Sequence, residues 1–239
     1  MVGFELSRIR CVGLALALAV AGFAQDAPAE RWARFEPEFV AFAQADARHP
    51  PTKGGILFVG SSIFRQWTSA TEMMKPLPVL NRAFGGSRTG DQLARFDQLG
   101  PRYAPKIIVY YCGSNDLKAG ETPEDPAAIF ARFREFSQRV MAFNPRTKIV
   151  FASSTRSPDR VPRWTQVDHY NALVRAYCGQ TPGHTFVDLN PVLVDANGHP
   201  RLDLYQDDKL HFHPPAYAEL TRVLKPVLEK LWSEANQTP

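Results

Sequence analysis

Short apolar runs alternate with longer amphipathic stretches along most of the chain. The apolar runs show little alternation of apolar and polar residues, which is typical of strands buried on both faces of a sheet. They predict strands at residues 56–59, 79–81, 107–111, 148–153 and 185–188. Helical periodicity between them predicts helices over residues 91–99, 126–143 and 165–178, with Gly179 closing the third at its C′ position.

Two further helices are predicted at the ends of this alternating region. An N-terminal helix over about residues 30–47 is indicated by aromatic residues at three- and four-residue spacing, namely Trp32, Phe35, Phe39 and Phe42. Pro37 lies inside this pattern and marks either a kink or the first turn of the helix. The last helix begins at Pro214 or Pro215 and extends to about residue 233, with a kink expected at Pro226.

This order of elements predicts one α/β domain over residues 25–239. Strands that alternate with helices favour a three-layer, doubly wound fold in which a mostly parallel five-stranded sheet has helices on both faces. Sheets of this kind bind ligands at the carboxyl ends of their strands, near the point where the strand order reverses. The residues that directly follow each apolar run are therefore the first candidates for a functional site.

Residues 1–24 have the pattern of a signal peptide. Arg8 and Arg10 precede an uncharged apolar run over residues 11–23, and the small residues Gly22 and Ala24 favour cleavage after Ala24. The run is too short for a typical bilayer span. We therefore expect an exported protein, periplasmic or secreted, without a stable membrane anchor.

Charge and cysteine content exclude several classes of protein. Removal of residues 1–24 lowers the formal net charge only from +4 to +3, and the basic residues are scattered, so nucleic-acid binding is not expected.

Cys112 and Cys178 remain in the mature chain. They could form a disulfide in an oxidising compartment, although a buried free thiol is equally compatible with the apolar run before Cys112. No CxxC motif or Cys/His spacing indicates a zinc site, and no cofactor is expected. The sequence leaves the oligomeric state open.

Small and polar residues at the predicted strand ends could form a site for nucleophilic catalysis. Ser62 follows the first strand, and a serine nucleophile needs a histidine base that is oriented by a carboxylate. Asp208 and His211 lie three residues apart before the last helix, where one turn can bring them together. A tetrahedral intermediate also needs donors for its oxyanion, which the backbone of Gly86 and the amide of Asn115 could supply.

In these motifs the chain resembles the SGNH, or GDSL-like, hydrolases from about residue 54 to the last helix. That family has four blocks in this order, and each has a match here: Gly60-Ser61-Ser62, Gly86, Gly113-Ser114-Asn115-Asp116, and Asp208 to His211. The resemblance implies a flavodoxin-like fold and a triad of Ser62, Asp208 and His211. It also implies an oxyanion hole formed by Gly86, Asn115 and the backbone N–H of Ser62. The implied activity is hydrolysis of carboxylic esters.

The sequence departs from the family pattern at three places. Ser61 replaces the aspartate of the first block, which is not a member of the triad, so the local hydrogen bonding must differ. Ala83 and Ala216 each stand where many members have glycine, and both replacements are small.

An open strand-end site favours short acyl groups such as acetyl, carried by a carbohydrate or another small molecule.

Other interpretations remain open at this level. Taken alone, Ser62 would be a helix cap, Gly86 and Asn115 would be turn residues, and Asp116 would cap the segment that follows it. Other serines, Ser87 and Ser114, do not lie in a G-x-S-x-G elbow. A zinc site from two carboxylates and two histidines (Asp207, Asp208, His211 and His213) is a weaker alternative. The remaining alternatives are a lysophospholipase or acyltransferase, and a non-catalytic exported module that binds glycans through exposed aromatic residues such as Trp67 and Trp164.

Overall fold

Five strands form a single sheet in which every pairing is parallel. The computed structural model describes residues 32–117 and 124–237. The strands are β1 (Ile56–Gly60), β2 (Val79–Asn81), β3 (Ile107–Tyr111), β4 (Lys148–Ala152) and β5 (His184–Val187). Their order across the sheet is β2-β1-β3-β4-β5, as in flavodoxin-like folds. The predicted α/β class and five-stranded parallel sheet are confirmed.

Helices connect the strands and cover the sheet. They are α1 (Glu36–Arg48), α2 (Ser62–Gln66), α3 (Ala70–Met73), α4 (Thr89–Ala94), α5 (Phe96–Tyr103), α6 (Pro126–Phe143), α7 (Trp164–Gln180) and α8 (Pro214–Gln237). Three 3-10 segments lie at Pro158–Arg163, Asn190–Leu193 and Leu202–Leu204. None of the helices in the described residues is long and apolar enough to cross a membrane.

Two apolar layers, one on each face of the sheet, give the three-layer architecture. On one face Phe58 of β1 packs with Phe64 and Trp67, and Trp67 stacks on Tyr217 of α8. On the other face the rings of α6 and α7 cover the central strands, and Tyr110 of β3 contacts Phe133 and Phe136 of α6. The unalternating strands follow from this arrangement, because both faces of β1 and β3 are buried.

The first helix is attached to the edge of the sheet that carries β2. Asp46, buried near its end, accepts hydrogen bonds from Arg82, Arg102 and Tyr103. At the start of this helix, Phe35 contacts Phe84 edge to face, with ring centroids 4.9 Å apart. Because Phe84 leads directly into Gly85 and Gly86, α1 supports the loop that follows β2.

One predicted helix has its predicted bounds in the structure, and the others differ at an end or are divided in two. Helix α6 has the predicted bounds, with the Asp125 side chain capping it by accepting from Ala127 N. The predicted helix over residues 91–99 is two helices that meet at Arg95, whose ψ of 13° lies outside the α-helical range. Helix α1 begins at Glu36, so Pro37 lies in its first turn, and α8 is continuous through Pro226.

The prediction that Gly179 ends a helix was wrong. Helix α7 continues through Gly179 to Gln180 and stops at Thr181, which has an extended conformation. Pro182 explains this end, because a proline disfavours helical geometry in the residue before it. The left-handed position is Gly183, four residues beyond the predicted one.

Cys112 and Cys178 are buried free thiols in the structure. Burial raises the pKa of Cys178 to about 12 and that of Cys112 well above its usual value. The suggested disulfide is therefore not present. The predicted signal peptide, residues 1–24, lies outside the described residues.

Candidate active site

The candidate residues converge at the carboxyl ends of β1, β2 and β3. These strands flank the point where the order of the sheet reverses, which is where doubly wound sheets bind ligands. Gly60 ends β1 with a φ of +144°, and a Cβ there would lie 1.9 Å from the carbonyl oxygen of Tyr111. Only glycine therefore allows β1 to approach β3 this closely before the chain turns into Ser61 and Ser62.

Ser62 is the first residue of α2, immediately after the extended residue Ser61. Its backbone N–H is among the first of the helix, and such groups have no acceptor within the helix. Its Oγ lies 2.9 Å from Nε2 of His211, which comes from the other end of the chain. Ser62 is thus oriented by the strand-to-helix turn and lies beside a potential base.

A tight turn before α8 holds Asp208 and His211 together. Oδ2 of Asp208 lies 2.5 Å from Nδ1 of His211, and Oδ1 accepts from the backbone N–H groups of Leu210 and His211. Lys209, inside the turn, has a φ of +55°. Burial opposes ionisation of Asp208, but these hydrogen bonds outweigh it and lower its pKa to about 2.

The contacts of His211 indicate which of its two ring nitrogens donates a hydrogen bond and which accepts one. Because Asp208 is ionised above about pH 2, its carboxylate accepts a hydrogen bond from the N–H group at Nδ1 of His211. The Nε2 atom is then an acceptor for the hydroxyl proton of Ser62. The structure therefore brings together all three residues that the sequence analysis assigned to a triad, in the order that general-base activation of a serine requires.

The other two predicted oxyanion donors, besides the N–H of Ser62, lie on neighbouring loops. Gly86 has a φ of +70° and follows β2, whereas Asn115 follows β3 and is half-buried. Nδ2 of Asn115 donates to the carbonyl oxygen of Ser87 at 3.1 Å, which ties the two loops together. An amide nitrogen carries two hydrogens, so one N–H of Asn115 is left for a ligand.

A buried polar cluster beneath these loops was missed by the sequence analysis. The sequence suggested a cap role for Asp116, but its carboxylate accepts from the backbone N–H and the hydroxyl of Thr89 and from Arg132. Arg132 also pairs with Glu124. Burial raises the pKa of Asp116 to about 6, although the donors from Thr89 and Arg132 oppose this shift. The cluster fixes the loop after β3 against the start of α4.

The neighbouring serines, Ser61, Ser87 and Ser114, are buried and form no hydrogen bond with His211. Ser61, which stands where the family has aspartate, is buried, and its hydroxyl has no hydrogen-bond partner among residues 32–117 and 124–237. Ser87 is also buried, and its hydroxyl is bonded to the carbonyl oxygen of Gly60 and the side chain of Gln92. Ser114 is buried as well.

Two alternatives from the sequence are not supported by the structure. Trp67 was suggested as an exposed glycan-binding residue, which was wrong: it is fully buried because it fills the layer between β1 and α8. Trp164 is half-buried and donates to the carbonyl oxygen of Ser157. Within the described part of the chain, no group of three or more His, Cys, Asp or Glu side chains could hold a metal ion, so the four candidate zinc ligands do not form a site.

Comparison with known proteins agrees with this fold. The family model for the GDSL-like Lipase/Acylhydrolase family matches residues 58–219. A GDSL-like lipase from Bacteroides thetaiotaomicron superposes with a TM-score of 0.66 at 20% identity, over 83% of this chain and 97% of that one. A carbohydrate esterase family 3 protein from Talaromyces cellulolyticus gives 0.60 at 17% identity, over 76% and 99%. A mutant acetyl esterase with an acetate ion gives 0.60 at 15% identity, over 76% and 99%. No curated protein matches the chain.

Proposed function

The chain belongs to the GDSL-like lipase and acylhydrolase family, and we propose that it is a serine esterase that hydrolyses short acyl esters. One observation carries this proposal. Ser62 Oγ lies 2.9 Å from Nε2 of His211, whose Nδ1 lies 2.5 Å from Asp208. Each of these distances allows a proton to be transferred or held without rearrangement of the site.

In the proposed reaction Ser62 attacks the ester carbonyl carbon while Nε2 of His211 takes the hydroxyl proton. Asp208 stabilises the imidazolium that forms. The tetrahedral intermediate collapses when His211 returns the proton to the leaving alcohol, which leaves an acyl group on Ser62. Water then attacks this acyl-enzyme with His211 again as base. The carboxylic acid is released when His211 returns the proton to Oγ of Ser62, which restores the free enzyme.

The negative charge on the carbonyl oxygen needs preorganised donors. We assign these to the backbone N–H groups of Ser62 and Gly86 and to the amide of Asn115. In the described part of the chain the N–H of Gly86 donates to no other group, and Asn115 has one amide hydrogen to spare. The three donors come from three different loops, so their spacing depends on the contacts that hold those loops together.

Acetyl esters of a carbohydrate are the proposed substrate class. The triad lies open to solvent, since 48% of the Asp208 side chain and 20% of that of His211 are exposed. An open site offers little apolar surface to bury a long acyl chain, whose affinity would come from that burial. An acetyl esterase and a carbohydrate esterase among the structural neighbours support the same choice.

We further propose export from the cytoplasm, on the basis of residues 1–24 alone.

A panel of esters tests both the activity and the substrate class. We expect turnover of 4-nitrophenyl acetate and of an acetylated oligosaccharide, little turnover of the octanoate ester, and none of lysophosphatidylcholine. Ser62→Ala should lower kcat at least about 10³-fold. The control is Ser69→Ala, at the exposed serine that precedes α3, which should leave kcat unchanged. Full activity in Ser62→Ala would reject the esterase proposal, and a preference for lysolipid would reassign the substrate.

A further inference from the structure

A buried arginine lies against the loop that carries Asn115. Arg160 belongs to the 3-10 segment after β4, and only 3% of it is exposed. Its Nη2 donates to Oδ1 of Asn115 at 3.4 Å, its Nη1 to the carbonyl oxygen of Ser114, and its Nε to Asp159 at 3.3 Å. A buried guanidinium is costly unless its N–H groups are bonded, so these acceptors account for its presence at this position.

These contacts fix the orientation of the Asn115 amide. Its Oδ1 accepts from Arg160 on one side, and its Nδ2 donates to the carbonyl oxygen of Ser87 on the other. A half-turn of the amide about its terminal bond would place a donor against the guanidinium and an acceptor against the carbonyl. Both hydrogen bonds would then be lost, so the remaining N–H of Asn115 has a defined direction.

The position of Arg160 is itself fixed by its neighbours in the same segment. Its backbone N–H donates to the carbonyl oxygen of Ser157 at 3.0 Å, and the hydroxyl of Ser157 lies 2.5 Å from Asp159. The N–H of Asp159 donates to the carbonyl oxygen of Lys209 in the turn of the triad. The segment therefore contacts the turn that holds His211 and the loop that holds Asn115.

We propose that Arg160 is a positioning residue for the oxyanion site. It holds the amide of Asn115 so that the free N–H faces the carbonyl oxygen of the ester as that oxygen gains negative charge. A donor on Oδ1 also polarises the amide, which makes its N–H a stronger donor. Arg160 is too buried to contact the substrate, so it acts through Asn115 alone. This inference rests on the proposed esterase activity.

A double-mutant cycle with Asn115 tests this role. Lysine at position 160 keeps the charge but has no planar fork of N–H groups, so it cannot hold both Ser114 and Asn115. We expect Arg160→Lys to lower kcat about 10- to 100-fold with KM changed less than about threefold, and Asn115→Ala to lower kcat about 10²- to 10³-fold. In the double variant kcat should equal that of Asn115→Ala within about twofold.

The matched control is Arg156→Lys, four residues earlier in the same connection. Arg156 is exposed and forms an ion pair with Asp168, so its replacement should leave kcat unchanged. If circular dichroism shows that Arg160→Lys does not fold, Arg160→Gln, which keeps an amide donor, takes its place in the cycle.

Two outcomes would overturn the proposal. One is an equal loss of kcat from Arg160→Lys with and without Asn115, because Arg160 would then act by another route. The other is a rise in KM with kcat unchanged, which would indicate ground-state binding. Either result in an enzyme that still depends on Ser62 rejects only the role of Arg160, whereas activity that survives Ser62→Ala rejects the esterase proposal itself.

Discussion

The two halves of the candidate site are built in opposite ways. The acid-base half is a short exposed turn in which Asp208 and His211 bond to each other across three residues. The oxyanion half is largely buried, and its bonds join residues far apart in the chain: Thr89 to Asp116 across 27 residues and Arg160 to Asn115 across 45. A local turn can supply a base with its carboxylate, whereas donors on separate loops need tertiary contacts to fix their spacing.

This difference predicts that the two halves respond differently to substitution. Changes in the exposed turn should affect activity far more than stability. Changes in the buried cluster should affect stability and its pH dependence as well. They leave buried polar groups without hydrogen-bond partners or expose them to water.

The largest effect is expected from His211→Ala. Loss of the base should lower kcat by at least about 10⁴-fold, because the serine can no longer be deprotonated. The free energy of unfolding should change by less than about 1 kcal/mol, since the site is a partly exposed turn. Ester hydrolysis and urea unfolding measure the two effects. His213→Ala, at an exposed histidine two residues away, is the control and should change neither; an equal loss of activity in both variants would contradict the assignment.

A smaller effect, on stability and its pH dependence, is expected from Asp116→Asn. Since the pKa of Asp116 is raised from 3.8 to about 6 in the folded protein, folding favours its protonated form. Its contribution to stability is therefore fully present below about pH 3.8 and is lost as the pH rises through about 6. On going from pH 7 to pH 4, the native protein should gain about 2 kcal/mol of unfolding free energy relative to Asp116→Asn.

Urea unfolding of both proteins at the two pH values measures this difference. Asp97→Asn provides the control, because Asp97 is exposed and lies outside the buried cluster of Asp116. A gain of relative stability with rising pH would show that the buried carboxylate is stabilised in its ionised form, and the account of the oxyanion half would need revision.

The smallest effect is expected in the turn of the triad. Lys209 has a φ of +55°, and a left-handed conformation costs a residue with a Cβ about 1–2 kcal/mol. Glycine removes this cost but loses more entropy on folding. Lys209→Gly should therefore stabilise the protein by no more than about 1 kcal/mol in thermal unfolding, as should Ala104→Gly at the other described left-handed position that is not glycine. A clear destabilisation by Lys209→Gly alone would mean that the lysine side chain has a role beyond the turn.

The same contrast explains what could be predicted from the sequence. Asp208 and His211 were predictable because their pairing is local, and the bounds of α6 were predictable because Asp125 and Pro126 form a recognisable start. The parallel sheet followed from apolar runs that are buried on both faces.

Other features depend on distant residues and leave no local pattern. In the sequence, nothing distinguishes Arg160 from the other arginines of a segment rich in proline and arginine. Its contact with Asn115 forms only when the chain folds. Trp67 was wrongly predicted to be exposed, because its burial depends on Tyr217, 150 positions later. Likewise, the cap role suggested for Asp116 missed its bonds to Thr89 and Arg132.

The most direct test of the central claim is to identify the residue that reacts as a nucleophile. The native protein would be treated with a fluorophosphonate, which phosphonylates activated serines, and the modified peptide located by mass spectrometry. We predict one adduct, on Ser62, that is absent in Ser62→Ala and forms much more slowly in His211→Ala. Labelling of another serine, or no labelling of a folded protein, would contradict the account.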